Sequence, residues 1–423
     1  MDYAQLLRNS FDAAVRAANP AAVIAVHLPP PDDRRTWVVG AGKAAASMAQ
    51  ALEGAWVGPE RLQGLVVTRY GHRAATRHIR VVEAGHPLPD AASVTAAADI
   101  LHIAHALGSG DRLLVLLSGG GSSLLASPAP GISLDDYRSL TNSLLRGGVP
   151  IAEFNIVRKH LSATQGGRLA AASRAQVLAL VISDVPGDNL SAIASGPCSP
   201  DPSTYNDALR ILQNWGIDTP QSVIAHLIAG SRGEISESPK PGDACFDRTQ
   251  VQLIANARSS LSAGADVLQA AGIRVIDLGD AIAGEASEVA RHQAAQIREL
   301  RQNHRPGEAP VALLSGGECT VTVRGDGRGG RCSEFLLHLF AELADIPGIF
   351  ALACDTDGID GSEHNAGAHF CDQTRALAAQ RGLNALSFLR RNDAYSFFEA
   401  VDGLIITGPT RTNVNDYRCV IVA

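Results

Sequence analysis

Residues Val311–Phe335 read VALLSGGECTVTVRGDGRGGRCSEF. An apolar strand runs into a tight Ser-Gly-Gly turn closed by an acid; a second strand follows, then a loop of glycines and arginines that opens a helix. A shorter echo stands upstream, where Leu113–Leu117 (LLVLL) leads into Ser118-Gly119-Gly120-Gly121-Ser122-Ser123. A strand ending in small residues lets backbone N–H groups approach an anion, and the positive end of a following helix adds to the field. Two such turns in one chain imply two anion-handling edges and a shared cleft.

Working outward, 423 residues exceed one ordinary core, so two domains are expected. Aromatics make up only 4% and hydrophobic residues 46%, a profile of tightly layered helices and strands rather than a β-sandwich or a disordered chain. The net charge of −7 invites neither nucleic acid nor an anionic membrane surface. Seven scattered cysteines with no CxxC pair fit reduced, buried thiols in a cytoplasmic protein. The first residues form an amphipathic helix of mixed charge rather than a signal peptide, and no apolar run reaches membrane-spanning length.

Helical spacing predicts a helix over Tyr3–Ala18. Strands are predicted at Thr36–Val39, Gly64–Thr68, Ile79–Val82, Leu113–Leu117 and Val177–Ile182, alternating with helices, the pattern of a mainly parallel sheet covered on both faces. Ser231–Asp243 is polar, has two prolines and two glycines, and lacks periodicity, which places a boundary near residue 240. The expected domains are a Rossmann-like one over 1–238 and a second α/β domain over 239–423. In the latter, strands are predicted at Val251–Ala255, Ile273–Asp277, Val311–Leu314, Ile349–Ala353 and Leu404–Thr407.

Several motifs compete. Gly40-x-Gly42-x-x-Ala45 after a strand matches a permissive dinucleotide fingerprint, but the next strand ends Thr68-Arg69-Tyr70 without the acid that holds a ribose. Lys43, at the start of the helix, points an ammonium at whatever anion the turn holds. A P-loop fails, because Trp37 stands at the first glycine position and Ala44 follows the lysine. Gly120–Leu124 lacks the last glycine of a nucleophile elbow. Asp355–Gly361 is one step out of register for a calcium loop. What is left is a set of acids (Asp184, Glu318, Asp357, Asp360) at strand ends beside cations (Lys43, Arg158, Lys159, Arg168, Arg328, Arg331, Arg411). Strand-end carboxylates suit Mg²⁺ with phosphate oxygens, and the cations suit a transferring phosphoryl group.

The chain resembles the MOFRL-type glycerate kinases over nearly its whole length. The resemblance rests on VVGAGKAA (38–45), LLSGGGSSLL (116–125), NIVRKHLSATQGGRLA (155–170) and SDVPGDNLSAIASGPCSPDPST (183–204). It continues in LSGGECTVTVRGDGRGGR (314–331), DTDGIDGSEHNAGA (355–368) and TGPTRTNVND (407–416). It implies transfer of phosphate from ATP to D-glycerate, giving 2-phosphoglycerate, with Mg²⁺, in a cleft between two α/β domains of a cytoplasmic enzyme; it is compatible with a homodimer. It also implies that Lys43, Arg331 and Asp184 are catalytic. Gly40, Gly42, the turn Ser118, Gly119, Gly120, Gly121, Ser122 and Ser123, and Glu318, Asp357 and Asn413 would bind substrate or nucleotide. Asp184, Glu318 and Asp357 are the candidate metal ligands. Three positions depart from the family pattern: Gln165 stands where lysine is usual, Cys332-Ser333 where Asn-Gln is usual, and Arg411 where glycine is usual. Two alternatives stay open at this point, an NAD(P)-dependent hydroxypyruvate reductase and a non-catalytic binder of small hydroxy acids.

Overall fold

The buried apolar runs become two six-stranded sheets. The structure, a computed structural model, describes residues 1–305 and 307–423, which divide into two units, Val23–Ile254 and Met1–Ala22 with Ala255–Ala423.

In the first unit the strands are β1 (Thr36–Ala41), β2 (Leu62–Arg69), β3 (Ile79–Ala84), β4 (Arg112–Leu117), β5 (Gln176–Ile182) and β6 (Thr249–Ala255), in the order β3-β2-β1-β4-β5-β6. Neighbours from β3 to β5 are parallel. All of β4 is buried, as expected of a central parallel strand with both faces covered. The strand order reverses between β1 and β4, and such switch points are where open α/β sheets hold ligands, beyond the carboxyl ends. The Gly40–Lys43 and Ser118–Ser123 turns leave the sheet at that point. Four helices, Leu134–Arg146, Ile151–His160, Tyr205–Asn214 and Gln221–Ser231, add a separate core built on Tyr137, Leu140, Phe154, Tyr205 and Leu227.

The second unit holds β7 (Arg274–Asp277), β8 (Gly284–Glu285), β9 (Val311–Gly317), β10 (Cys319–Thr320), β11 (Ile349–Asp355), β12 (Gly367–Phe370), β13 (Leu404–Ile405) and β14 (Asp416–Val422). The main sheet runs β13-β12-β11-β14-β9-β7, and β8 with β10 forms a short ribbon. Here β14 is antiparallel to both β9 and β11, which sets Asp416 opposite Gly317 on one side and Asp355 on the other. The helix Tyr3–Ala17 belongs to this unit. Its Leu7, Phe11 and Ala14 share a core with Leu261, Leu268 and Tyr417, and Ser10 Oγ donates to the Gly264 carbonyl at 2.8 Å.

The boundary therefore differs from that expected at 238/239. Residues 231–243 are polar yet held down: Ser238 Oγ donates to Asp201 Oδ2 at 2.9 Å, and the Asp201 N–H donates to the Pro239 carbonyl at 2.9 Å. β6, assigned by sequence to the second half, is instead an edge strand of the first sheet. Periodicity shows that the first helix has a face to bury, but not which core takes it. Among the described residues, no helix is long and apolar enough to cross a membrane.

Candidate functional site

Each unit gathers its own set of the expected residues. In the Val23–Ile254 unit, the β1 and β4 turns are stitched together. The Lys43 N–H donates to the Gly119 carbonyl at 2.8 Å, the Ala44 N–H to Ser118 Oγ at 3.0 Å, and the Gly42 N–H to the Val67 carbonyl at 3.1 Å. Gly42, at φ +142°, lies against Ser118, where any Cβ would collide. Gly40 is pressed against Leu116 in the same way. The donors of the β1 turn are thus spent inside the protein, and a dinucleotide pyrophosphate would find none of these three available.

The β4 turn is the opposite case. Among the described residues, the N–H groups of Gly119, Gly120, Ser122 and Ser123 enter no backbone hydrogen bond. Four side chains crowd the glycines. A Cβ at Gly119 would strike the Asp184 carboxylate, one at Gly121 would strike Ala194, and one at Gly120 would fall 2.8 Å from His86 Nε2 and 3.4 Å from Lys43 Cγ. Lys43, Asp184 and the Ser118–Ser123 turn are therefore neighbours. The His86 ring covers Gly120. Burial, reinforced by the charges of Lys43, Arg69 and His72, lowers its pKa to about 4, so it is a neutral imidazole at pH 7.

The turn is braced from behind. Gln165, fully buried, donates from Nε2 to the Ser122 carbonyl at 2.8 Å, and Ser122 Oγ lies 2.8 Å from Ser195 Oγ. The Gln165 departure thus replaces a cationic side chain by a neutral one that still fastens the turn. Gly166 and Gly167 break the chain's course beside it, with φ of +59° and +82°.

In the other unit, three strand ends and one helix start converge on Arg331. Its Nε donates to Asp416 Oδ1 at 2.7 Å, one terminal nitrogen to Glu318 Oε1 at 2.7 Å, and the other to Asp355 Oδ2 at 2.8 Å. Burial works against this charge, but Asp355 and Asp416 above all outweigh it and hold the guanidinium protonated. Asp355 is pushed well above the usual carboxylate range, first by burial and then by the neighbouring charge of Asp357. Asp357 is buried, and its Oδ1 accepts the Ile359 N–H at 2.9 Å. Asn413 is buried too, with Oδ1 accepting the Asn415 N–H at 3.1 Å. Its segment is laced to the β11 turn, because the Val414 N–H donates to Thr356 Oγ1 at 2.9 Å.

Two of the departures now have physical accounts. The Cys332 and Ser333 N–H groups donate to the two oxygens of Asp360 at 2.9 and 2.8 Å, with Ser333 Oγ on the same carboxylate. Asp360 is thereby the cap of the helix Arg331–Glu342. Burial raises its pKa to about 6 against those donors. Cys332 and Ser333 are buried and belong to helix capping and packing. Arg411 is exposed at φ +63°, a conformation that glycine adopts more readily, which explains the usual glycine there.

Asp355 and Asp416, which hold Arg331, were not singled out by sequence reasoning. Among the described residues, no group of three or more His, Cys, Asp or Glu side chains is disposed to hold a metal ion. Mg²⁺ usually needs only one or two carboxylates, with phosphate oxygens and waters completing its shell. The acidic corner of Glu318, Asp355, Asp357 and Asp416, set against the guanidiniums of Arg331 and Arg418, fits a cation that arrives with a nucleotide.

Comparison with known proteins shows the family. Residues 6–228 match a family described as a domain of unknown function (DUF4147), and residues 311–416 match the MOFRL family. A glycerate 2-kinase of Pyrococcus horikoshii is 36% identical over 100% of this chain and 98% of its own length. The chain belongs to the MOFRL-type glycerate kinase family. A D-glycerate 2-kinase of Thermotoga maritima is 37% identical over 95% of this chain and 94% of its own. A protein of Agrobacterium vitis that bears the name "Putative hydroxypyruvate reductase" is 44% identical over 99% of this chain and 94% of its own. The crystal structure of the Thermotoga maritima glycerate kinase superposes with a TM-score of 0.89 at 35% identity, covering 100% of this chain and 99% of that one.

Proposed function

We propose that this member of the family is a glycerate 2-kinase that transfers the γ-phosphoryl group of ATP to the C2 hydroxyl of D-glycerate. The observation that carries the reading is the contrast between the two turns at the β1/β4 switch point. Among the described residues the N–H groups of Gly119, Gly120, Ser122 and Ser123 enter no backbone hydrogen bond, whereas those at the dinucleotide-like Gly42–Ala44 turn are consumed by Val67, Gly119 and Ser118. The reductase alternative also wants a catalytic histidine paired with an acid. His86 has no carboxylate hydrogen-bonded to it among the described residues, and His160 is fully buried in helix packing, with Glu237 at 3.2 Å.

In this reading the Ser118–Ser123 turn cradles phosphate oxygens, and Lys43 supplies positive charge beside it. Arg331, locked by three carboxylates, presents a fixed guanidinium to the moving phosphoryl group. Such transfers rest mainly on positioning and charge stabilisation. The bond from the γ-phosphorus to its bridging oxygen breaks, ADP leaves, and the glycerate oxygen takes the phosphoryl group. The hydroxyl proton goes to Asp184. Glu318 and Asp357 are the residues offered to Mg²⁺, which would neutralise phosphate charge when bound, with Asp184 kept for the proton. Asn413 orients a polar group of substrate or nucleotide.

Two assays on the purified protein test this reading, one with D-glycerate, ATP and Mg²⁺ and the other with hydroxypyruvate and NADH or NADPH. ADP release that depends on D-glycerate, with phosphorus NMR identifying 2-phosphoglycerate, is the expected result. Oxidation of the dihydronicotinamide without ADP release would overturn the reading.

A further inference from the structure

Arg158 lies in the last turn of the helix Ile151–His160, half-buried. One terminal nitrogen donates to Asn155 Oδ1 at 3.3 Å and to Ser195 Oγ at 3.4 Å, and the guanidinium carbon sits 4.2 Å over the Phe154 ring. Among the described residues no carboxylate forms an ion pair with it, whereas Arg35 and Arg112 in the same unit hold Asp111 and Asp32. The Nε and second terminal nitrogen make no hydrogen bond among the described residues. This edge is a fork of N–H donors with the spacing of a carboxylate's two oxygens. Burial lowers the arginine pKa, the mark of a charge that the protein leaves uncompensated.

Its position is equally specific. Ser195 Oγ, which accepts from Arg158, lies 2.8 Å from Ser122 Oγ in the open turn and donates to Asn155 Oδ1 at 3.2 Å. Ala194 and Ser195 adopt φ of +51° and +58°, a left-handed backbone that non-glycine residues keep only where the surroundings hold it. The Gly166 N–H secures it by donating to the Ser195 carbonyl at 3.0 Å. One guanidinium is thus held two hydrogen bonds from the phosphate cradle. In D-glycerate the C2 hydroxyl is on the carbon next to the carboxylate, so any group that reads the carboxylate must sit beside the phosphoryl site.

We propose that the open edge of Arg158 binds the substrate carboxylate and makes the enzyme select a 2-hydroxy acid over its uncharged analogues. The proposal rests on the kinase reading above. Phosphate oxygens have the backbone donors of the turn and Lys43; the carboxylate has the planar fork.

The experiment compares D-glycerate with its uncharged amide in wild type, Arg158→Gln and Arg158→Lys. Arg158→Gln should lower kcat/KM for D-glycerate on the order of 100-fold, with KM for ATP changed by less than about 2-fold. The preference for the acid over the amide should shrink by the same factor, and Arg158→Lys should restore part of it. Thermal melts and titration calorimetry of D-glycerate on each protein accompany the kinetics. An acid-to-amide preference that is absent in wild type or unchanged in Arg158→Gln overturns the proposal. So does a loss that falls on KM for ATP. If Arg158→Gln fails to fold, Arg158→Lys decides through the same ratio. If wild type releases no ADP with D-glycerate, the kinase reading fails by itself, and calorimetric binding of D-glycerate, lost or kept in Arg158→Gln, still judges Arg158.

Discussion

Arg331 and Asp416 meet through an Nε to Oδ1 hydrogen bond of 2.7 Å across 85 residues of chain, and Asp416 is nearly inaccessible. The other oxygen of Asp416 is also engaged, since Oδ2 accepts the Cys319 N–H at 3.3 Å and lies 3.6 Å from the buried Arg418. Asp416→Asn keeps the shape and one acceptor oxygen but leaves two guanidiniums short of charge. Breaking a buried pair from one side costs about 3–5 kcal/mol. The amide should soften this to about 2–3 kcal/mol, seen as a lower Tm. Turnover should fall by a further factor of about 10–100 through a loosened Arg331. An Asn variant with wild-type Tm would show that the charge of Asp416 is not what positions Arg331.

Lys43 separates chemistry from folding more cleanly. Its backbone holds the two turns together, through its N–H on the Gly119 carbonyl at 2.8 Å and its carbonyl accepting from Thr68 Oγ1 at 3.2 Å. Neither bond uses the side chain. Lys43→Ala keeps both bonds, so it should still fold while its turnover drops on the order of 10³-fold or more. Kinetics and calorimetry on the same preparation check both halves; near-full activity would remove Lys43 from the reaction.

Gly119 tests how tightly the cradle is built. The space for a Cβ there is filled by the Asp184 carboxylate. Gly119→Ala should displace that carboxylate and cut kcat/KM by about 100-fold or more, since displacements of about 1 Å carry costs of that size. A control at Gly131, with nothing within 4 Å, already requires φ of +89°, so Gly110 is the better choice, being open and free of that demand. Gly110→Ala should be close to neutral in activity. Equal activity for the two variants would mean that Asp184 has room to move without consequence.

Some of this was legible from residues alone, because apolar runs that stop at small residues mark strand ends whatever the tertiary context. Leu113–Leu117 before Ser118-Gly119-Gly120 is a strand-to-turn transition in the structure, whereas the strand expected at Val311–Leu314 runs on through Ser315-Gly316-Gly317, which pair with β14 instead of turning. Asp416 was not legible as a partner of Arg331. It starts a strand that enters the sheet antiparallel between β9 and β11, and pairing across 85 residues has no local signature. Asp355 was set aside with a failed calcium loop, although its role is to hold a guanidinium. Ser333 stood out only as a departure from the family pattern, and the Asp360 cap shows that it faces the helix start. Sequence finds groups able to carry charge; which of them neutralise one another depends on sheet order.

Glu334 offers a pH signature of the fold itself. It lies in the first turn of the helix Arg331–Glu342, buried, with Asn392 Nδ2 donating to its Oε1 at 3.1 Å and His338 Nε2 at 3.9 Å. Burial raises its pKa to about 7; the Asn392 bond opposes this, and the charges of Glu285 and Asp360 add to it. In the unfolded chain a glutamate titrates near about 4.3. Between these values the folded protein binds more protons than the unfolded one, so stability declines as pH rises and levels off above about 7. Glu334→Gln can keep the acceptor for Asn392 and removes the titration. It should match wild type near pH 5 and exceed it by roughly 1–3 kcal/mol at pH 8, with most of the divergence between about pH 5 and 7. Tm measured across that range for both proteins checks the sign, since a wild-type Tm that rises relative to the variant from pH 5 to 8 would mean that Glu334 is ionised and stabilised in the fold.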